Sequence, residues 1–400
     1  MPAVRFEAPN APFKTVDEFN AFTGAIQEND DFKAATPAAY AIGLARYAES
    51  GELLDVRFPT VNGPNPETGK AENQGTAAAL YALTDGFTNL GEHGRFPAYD
   101  LRYVERDFKR IFAPFSNDGK KHANIDAGNA VLSASAHSAH GRTQHPVLTL
   151  IDDLAAEPKN PVDAWLRLNL LSTRKVQPNG INLDGVFGLM TNVAWTNRGP
   201  LLPNDVERVR NVLMTKNGEN LTVRGLDKFP FLLDYVSPPS GVRIVDAGTV
   251  RLGAYLGEGT TVMPAGFINF NAGTLGKAMV EGRISQGVVV GDGSDLGGGA
   301  STMGTLSGGG TEKITVGERS LVGANGGTGI SLGDDCKVEA GLYVTANTRV
   351  LVEGHAEPVT ARSLSGNHGL TFYRDGNGVV RAVPTKEAKL VELNPALHKN

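Results

Sequence analysis

Through residues 241–350 an apolar residue returns every six positions against a background of glycine. Ile244, Val250, Leu256, Val262 and Ile268 keep the step, as do Ile284, Val290 and Leu296, and then Leu332, Val338, Val344 and Val350. The same stretch holds 26 of the chain's 49 glycines. Glycine at that density opposes ordinary helices and strands, because it loses the most backbone freedom on folding. A parallel β-helix reconciles the two observations. Three six-residue edges close one triangular coil of about 18 residues, and the stretch has room for roughly five or six coils. Each coil buries its apolar corners on the next and none is stable alone. The expected fold class is therefore mainly β, with an α/β part before the coil. The hexapeptide period points to the left-handed form, against the usual right-handed crossover. The step breaks at residues 270–283 (FNAGTLGKAMVEGR) and 303–313 (MGTLSGGGTEK). Breaks in a solenoid mark loops on its functional face.

Four hundred residues exceed one typical compact domain. Pro238-Pro239 cannot donate to a sheet ladder and makes a natural boundary. The expected division is an N-terminal α/β domain over 1–237, the β-helix over 238–352, and a C-terminal irregular segment, hairpin and short helix over 353–400. A net charge of −5 leaves no electrostatic footprint for nucleic acid or anionic lipid. The single Cys336 excludes an internal disulfide and fits a reducing compartment. The opening MPAVRFEAPNAPFK has no apolar run, and no stretch approaches the ~20 apolar residues of a membrane span. A soluble, cytoplasmic protein without nucleic-acid or membrane partners is expected.

Upstream, Thr15 and Glu18 fit a capping box before Phe19, Phe22 and Ile26. Residues 32–50, alanine-rich with Tyr40, Leu44 and Tyr47 at helical spacing, read as a helix stopped by Gly51. Residues 57–75 read as a loop, 77–83 as a helix, and 146–169 as helical again. Residues 114–146 are polar and carry His122, His137, His140 and His145. SASAHSAHGR offers no acidic or cysteine partner for a metal, so a solvated loop or an ordinary packed pair of histidines is expected there. Residues 179–201 read as strands around a tight turn. Asn204 caps a helix with Val206, Val209 and Leu213 on one face, ended by Asn217-Gly218. Residues 370–383 read as a hairpin turning at Asp375-Gly376-Asn377-Gly378, and the last residues as a short helix.

The repeat contains no histidine, since His355 and His368 come only after it. That disfavours acyl transfer through a histidine base, and also a histidine-bound zinc. Glu281 stands in the first break, in MVEGRIS, among apolar residues. A carboxylate partly withdrawn from water serves as general base or nucleophile. Arg283 two residues on can hold a substrate carboxylate bidentately. The competing reading is a plain Glu281–Arg283 ion pair at a corner. Two acids beside Cys336 work against a thiolate, so it reads as a small packed residue. GDGSDLGGG and LSGGG lack the order and the following helix of a phosphate loop.

GFINFNAGT, MVEGRIS, VVVGDGSDLGGGASTMGTLSGGG and VEAGLYVTA resemble the tetrahydrodipicolinate N-succinyltransferases, in the branch found in actinobacteria and pseudomonad-like bacteria. The likeness extends upstream through NLDGVFG, NVAWTNRGP and LDKFP and downstream through ARSLSG, over roughly residues 179–383. Residues 1–160 carry no such likeness. The resemblance implies a homotrimer of left-handed β-helices with active sites between neighbouring subunits. It implies transfer of succinyl from succinyl-CoA, as co-substrate rather than resident cofactor, to the amino group of open-chain (S)-2,3,4,5-tetrahydrodipicolinate. Glu281 matches the family's catalytic glutamate, described as forming an acyl-anhydride. The family's succinyl-CoA contacts fall on Arg283, Gly298, Ser301, Ala324, Glu339 and Ala340, with Asn347, Thr360 and Arg374 beyond them. Asn347 stands where relatives often have glycine and Thr360 where some have lysine. Two acids that hold a divalent ion in some relatives correspond to Gly248 and Ala265, which supply no carboxylate, so no metal is expected. An N-acetyltransferase on the same acceptor and a non-catalytic β-helix scaffold are the alternatives.

Overall fold

The computed structural model describes residues 6–87, 98–116, 118–135, 141–237, 239–308 and 310–385. His137, His140, Pro238 and the expected C-terminal helix lie outside them. The chain divides into two compact units: residues 1–170 with 180–230, and residues 171–179 with 231–400. The division thus falls at 230/231, beside the 237/238 boundary read from the prolines, and adds a short upstream segment to the second unit.

The first unit centres on a four-stranded sheet of order β2-β1-β4-β3, with β1 at Ala39–Ala48, β2 at Leu53–Arg57, β3 at Tyr99–Asp100 and β4 at Arg142–Ile151. Tyr40, Ile42 and Leu148 of the sheet share one core cluster with helix residues. These come from α1 (Val16–Gln27), α2 (Asp30–Ala35), α3 (Gln74–Leu83), α4 (Glu105–Ile111) and α5 (Ala123–Ala134). Thr15 caps α1 as expected, its hydroxyl accepting from the Glu18 N–H at 3.2 Å. Two expectations fail here. Residues 39–48 are a strand rather than a helix, and 142–151 is its antiparallel partner rather than the start of a helix. β1 lies between two neighbours and is buried along almost its whole length. A strand buried on both faces loses the polar–apolar alternation that marks strands in sequence, and an alanine-rich apolar run then resembles a helix. Beyond it stand α6 (Pro161–Ser172) and α7 (Val186–Leu189). The strands β5 (Val193–Thr196), β6 (Gly199–Leu201) and β7 (Val223–Asp227) form a small antiparallel sheet, with α8 (Val206–Asn217) ended by Gly218 at φ 64°.

The second unit is the coil. Parallel two- and three-residue strands stack into three sheets, the β-helix-like arrangement that the repeat predicts. On the first sheet the inward residues of successive coils are Ile244, Val262, Val280, Leu296, Val322 and Val338. Their spacings are 18, 18, 16, 26 and 16 residues. The first break is therefore narrower than the apolar pattern suggested. Thr274 is fully buried six positions after Ile268 and six before Val280. Thr302 and Thr328 likewise occupy buried corner positions. Their hydroxyls are satisfied inside the coil, Thr274 with Thr260 at 2.6 Å and Thr328 with the Ile330 carbonyl at 2.6 Å. The true irregularity is a corner of four residues instead of six, from Val280 to Ile284, with a second from Thr328 to Leu332. The long 26-residue coil contains the expected excursion at 303–313, pinched at its base by an antiparallel bridge between Thr305 and Lys313.

Residues 171–179 fasten to the first coils. The Ser172 hydroxyl donates to the Ala254 carbonyl at 3.1 Å and accepts from the Gly253 N–H at 2.8 Å, and Asn179 bonds to Asn271 and to the Gly287 carbonyl. At the other end, Leu370–Arg374 and Val380–Pro384 form the expected hairpin, and its first strand pairs in parallel with Lys337–Val338.

Candidate active site

The short corner puts Glu281 directly after the buried Val280, and the same corner recurs one step further along each coil. Its backbone rungs run Glu281 N–H to Leu296 O at 2.9 Å, Gly297 N–H to Val322 O at 2.8 Å, Gly323 N–H to Val338 O at 2.8 Å, and Glu339 N–H to Phe372 O at 2.9 Å. Glu281, Gly298, Ala324, Glu339 with Ala340, and Arg374 thus fall on successive levels of one column. At ~4.8 Å per level, the column is about 19 Å long. Successive levels approach closely, and the sequence allows it with glycine. A Cβ on Gly297 would lie 2.7 Å from the Ala324 nitrogen, and one on Gly323 would lie 2.6 Å from the Ala340 nitrogen.

The Glu281 carboxylate is half-buried and lies over Gly298, with Oε2 3.6 Å from where a Cβ on that residue would stand. Arg283 does not pair with it. The Arg283 guanidinium donates to the Ser301 hydroxyl at 2.7 Å, one coil along the adjoining face. Five other acids of the coil are tied to the backbone. Asp246 accepts from the Gly248 N–H, Asp292 from Lys277, Asp295 from Met279, Asp334 from Glu318, and Glu339 from Arg374. Among the described residues the Glu281 side chain has no such bond and no ion pair. An acid that caps nothing is chemically available, and this one faces a strip of small residues along which a thin extended chain can lie.

The structure thus brings together Glu281, Arg283, Gly298, Ser301, Ala324, Glu339, Ala340 and Arg374. It does not bring Asn347 or Thr360 to that column. Asn347 sits past Val344, near the 303–313 excursion, and Thr360 pairs with Arg349 at the coil's end. Two side chains at the Asn347 corner had no sequence signal. Ser307 accepts from the Ala346 N–H through its hydroxyl at 2.6 Å, and Arg362 donates to the Ser307 carbonyl at 3.2 Å. Both bonds span more than 35 residues of sequence, beyond the reach of local spacing.

Cys336 is buried in the coil. Burial pushes its thiol up, and its Sγ donates to the Asn367 carbonyl at 3.2 Å, in keeping with a packed residue. His122 bonds Asp118 at 2.7 Å, and His145 lies 3.3 Å from Asp100, a partner far upstream in sequence. No group of three or more His, Cys, Asp or Glu converges as a metal site among the described residues. Nor is any described helix long and apolar enough to cross a membrane.

Stacked coils on a six-residue step define the class of fold: a hexapeptide-repeat, β-helix-like protein. Comparison with known proteins places the chain within that class. Residues 17–188 match the family model for the N-terminal region of tetrahydrodipicolinate N-succinyltransferase, 190–230 match its middle region, and 313–346 match the hexapeptide repeat of succinyl-transferase. A Vibrio cholerae 2,3,4,5-tetrahydropyridine-2,6-dicarboxylate N-succinyltransferase is 48% identical over 371 residues, covering 91% of this chain and 99% of that one. The Pseudomonas putida enzyme of the same name is 51% identical over 279 residues, 68% of this chain and 79% of that one. The crystal structure of a Campylobacter jejuni protein described as a putative 2,3,4,5-tetrahydropyridine-2-carboxylate N-succinyltransferase superposes with a TM-score of 0.77 at 31% identity, over 94% of this chain and 99% of that one. The chain belongs to the tetrahydrodipicolinate N-succinyltransferase family. The match over 17–188 extends the family into the region where the sequence motifs carried no resemblance.

Proposed function

We propose that this chain moves the succinyl group of succinyl-CoA to the amino group of (S)-2,3,4,5-tetrahydrodipicolinate in its open-chain form, releasing CoA, a step of diaminopimelate and lysine biosynthesis. Family membership over nearly the whole chain supports the activity. The observation that carries the assignment of the site is the uncommitted Glu281 carboxylate at the head of a column of small residues. Glu281 is the catalytic residue. Two roles fit it. It attacks the thioester carbonyl, giving a mixed anhydride and CoA thiolate, and the acceptor amine then takes the acyl group. Alternatively it removes the proton from the attacking amine while backbone N–H groups hold the oxyanion.

Succinyl-CoA lies along the column past Gly298, Ser301, Ala324, Glu339 and Ala340, with Arg283 and Arg374 as cations at its flanks and Asn347 and Thr360 contributing from the next corner. The assembly is a homotrimer of left-handed β-helices in the cytoplasm, with each site completed by a neighbour. Gly248 and Ala265 supply no carboxylate, so the enzyme works without a metal at that position. The test is turnover of the acceptor with succinyl-CoA and with acetyl-CoA. Succinyl-CoA is expected to be preferred. Preference for acetyl-CoA would make the chain an acetyltransferase, and no thermal shift with CoA would leave only a scaffold.

A further inference from the structure

We propose that Arg362 binds a phosphate of coenzyme A in a small cradle of hydrogen-bond donors at the second corner of the coil. The inference rests on the succinyl-CoA reading above.

Arg362 belongs to a short 3-10 turn, Ala361–Leu364, whose backbone is fixed to the last coil by the Arg362 N–H bonded to the Ala346 carbonyl at 2.9 Å. Its guanidinium donates to the Ser307 carbonyl at 3.2 Å. Ser307 is itself held by two further bonds, its N–H to the Gly329 carbonyl at 2.9 Å and its hydroxyl to the Ala346 N–H at 2.6 Å. The guanidinium is therefore aimed by a fixed partner. It is aimed beside Gly308, where an added Cβ would stand 3.3 Å from Arg362 Nη2 and 3.6 Å from Asn347 Nδ2. With no side chain at Gly308, an arginine and an amide donor converge beside the same stretch of backbone. Among the described residues, the Gly308 N–H has no protein acceptor.

The charge of the cradle is uncompensated. Arg319 is paired with Asp335 and Glu318, and Arg381 with Asp375. No described carboxylate pairs with Arg362. A planar guanidinium with free donors and an amide NH₂ together match an anion with several acceptor oxygens, and phosphate suits that geometry. Location separates this anion from the acceptor's carboxylates. The coil carrying Asn347 is three levels beyond that of Glu281, about 14 Å along the axis. That is the wrong place for a group being acylated, and one that the nucleotide end of CoA meets by turning from the column to the next corner.

The experiment compares the enzyme with R362Q and R362K, using succinyl-CoA and the phosphate-free thioester succinyl-pantetheine. R362Q is expected to raise KM for succinyl-CoA about tenfold, with kcat and the KM for succinyl-pantetheine unchanged, and R362K to recover part of the loss. Equal shifts with both thioesters, or a fall in kcat with both, would reveal a purely structural role and overturn the proposal. So would an unchanged KM for succinyl-CoA. If the unaltered enzyme fails to turn over succinyl-CoA at all, the functional reading itself falls and takes this inference with it.

Discussion

Glu281 differs from its acidic neighbours through what those neighbours bind. Asp292, Asp295 and Asp334 each spend an oxygen on a backbone N–H of an adjacent coil, and Glu281 has no such partner among the described residues. Sequence could single it out, because an acid in a break of a histidine-free repeat is unusual. Sequence could not show that Arg283 turns to Ser301, because that bond joins residues 18 apart. The same limit hid Asp100. Burial works to raise its carboxyl, but hydrogen bonds from His145 and Arg102 outweigh it and hold the group down at about 2. A depressed folded pKa stabilises above the unfolded value of about 3.9 and stops doing so as pH falls through the folded one. Asp100→Asn is therefore expected to cost about 2 kcal/mol near neutral pH. It is also expected to flatten the loss of stability between about pH 4 and pH 2, measured by urea unfolding across that range. An unaltered acid slope would refute it.

At the level of elements, the six-residue step makes the coil legible, yet an apolar step passes over the corners filled by threonine. A buried Thr274 or Thr302 does an apolar residue's work with its hydroxyl satisfied inside the coil. β1 was misread for the opposite reason, its burial on both faces erasing the alternation that marks a strand. Two consequences follow for the coil. Gly297→Ala would press a methyl group into the Ala324 backbone nitrogen, and is expected to cost about 1–3 kcal/mol, visible as a lower Tm. Deleting residues 304–313 shortens the 26-residue coil to 16, the step found at the two short coils. The shortened chain is expected to keep a cooperative thermal transition while its KM for succinyl-CoA rises about tenfold, because the excursion carries the Ser307 carbonyl that positions Arg362. Loss of the transition would show instead that the excursion is part of the folded frame.

For the whole molecule, family membership reaches from residue 17 into the coil, although the N-terminal region showed no readable motif. Its fold is specified by packing among Phe19, Tyr40, Leu80, Phe108 and Leu148, drawn from distant parts of the chain, and such packing leaves no short signature. The proposed trimer should scatter light with a mass three times the 42.2 kDa of one chain. A monomeric mass with full activity would contradict sites shared between subunits. The central claim is that Glu281 performs the chemistry on a frame that does not depend on it. It is tested most directly by CoA-thiol release from succinyl-CoA in the presence of tetrahydrodipicolinate, comparing the enzyme with Glu281→Gln at matched mass and Tm. The account predicts that release falls by at least about a hundredfold while the assembly is unchanged. Near-normal release from the intact variant would contradict it.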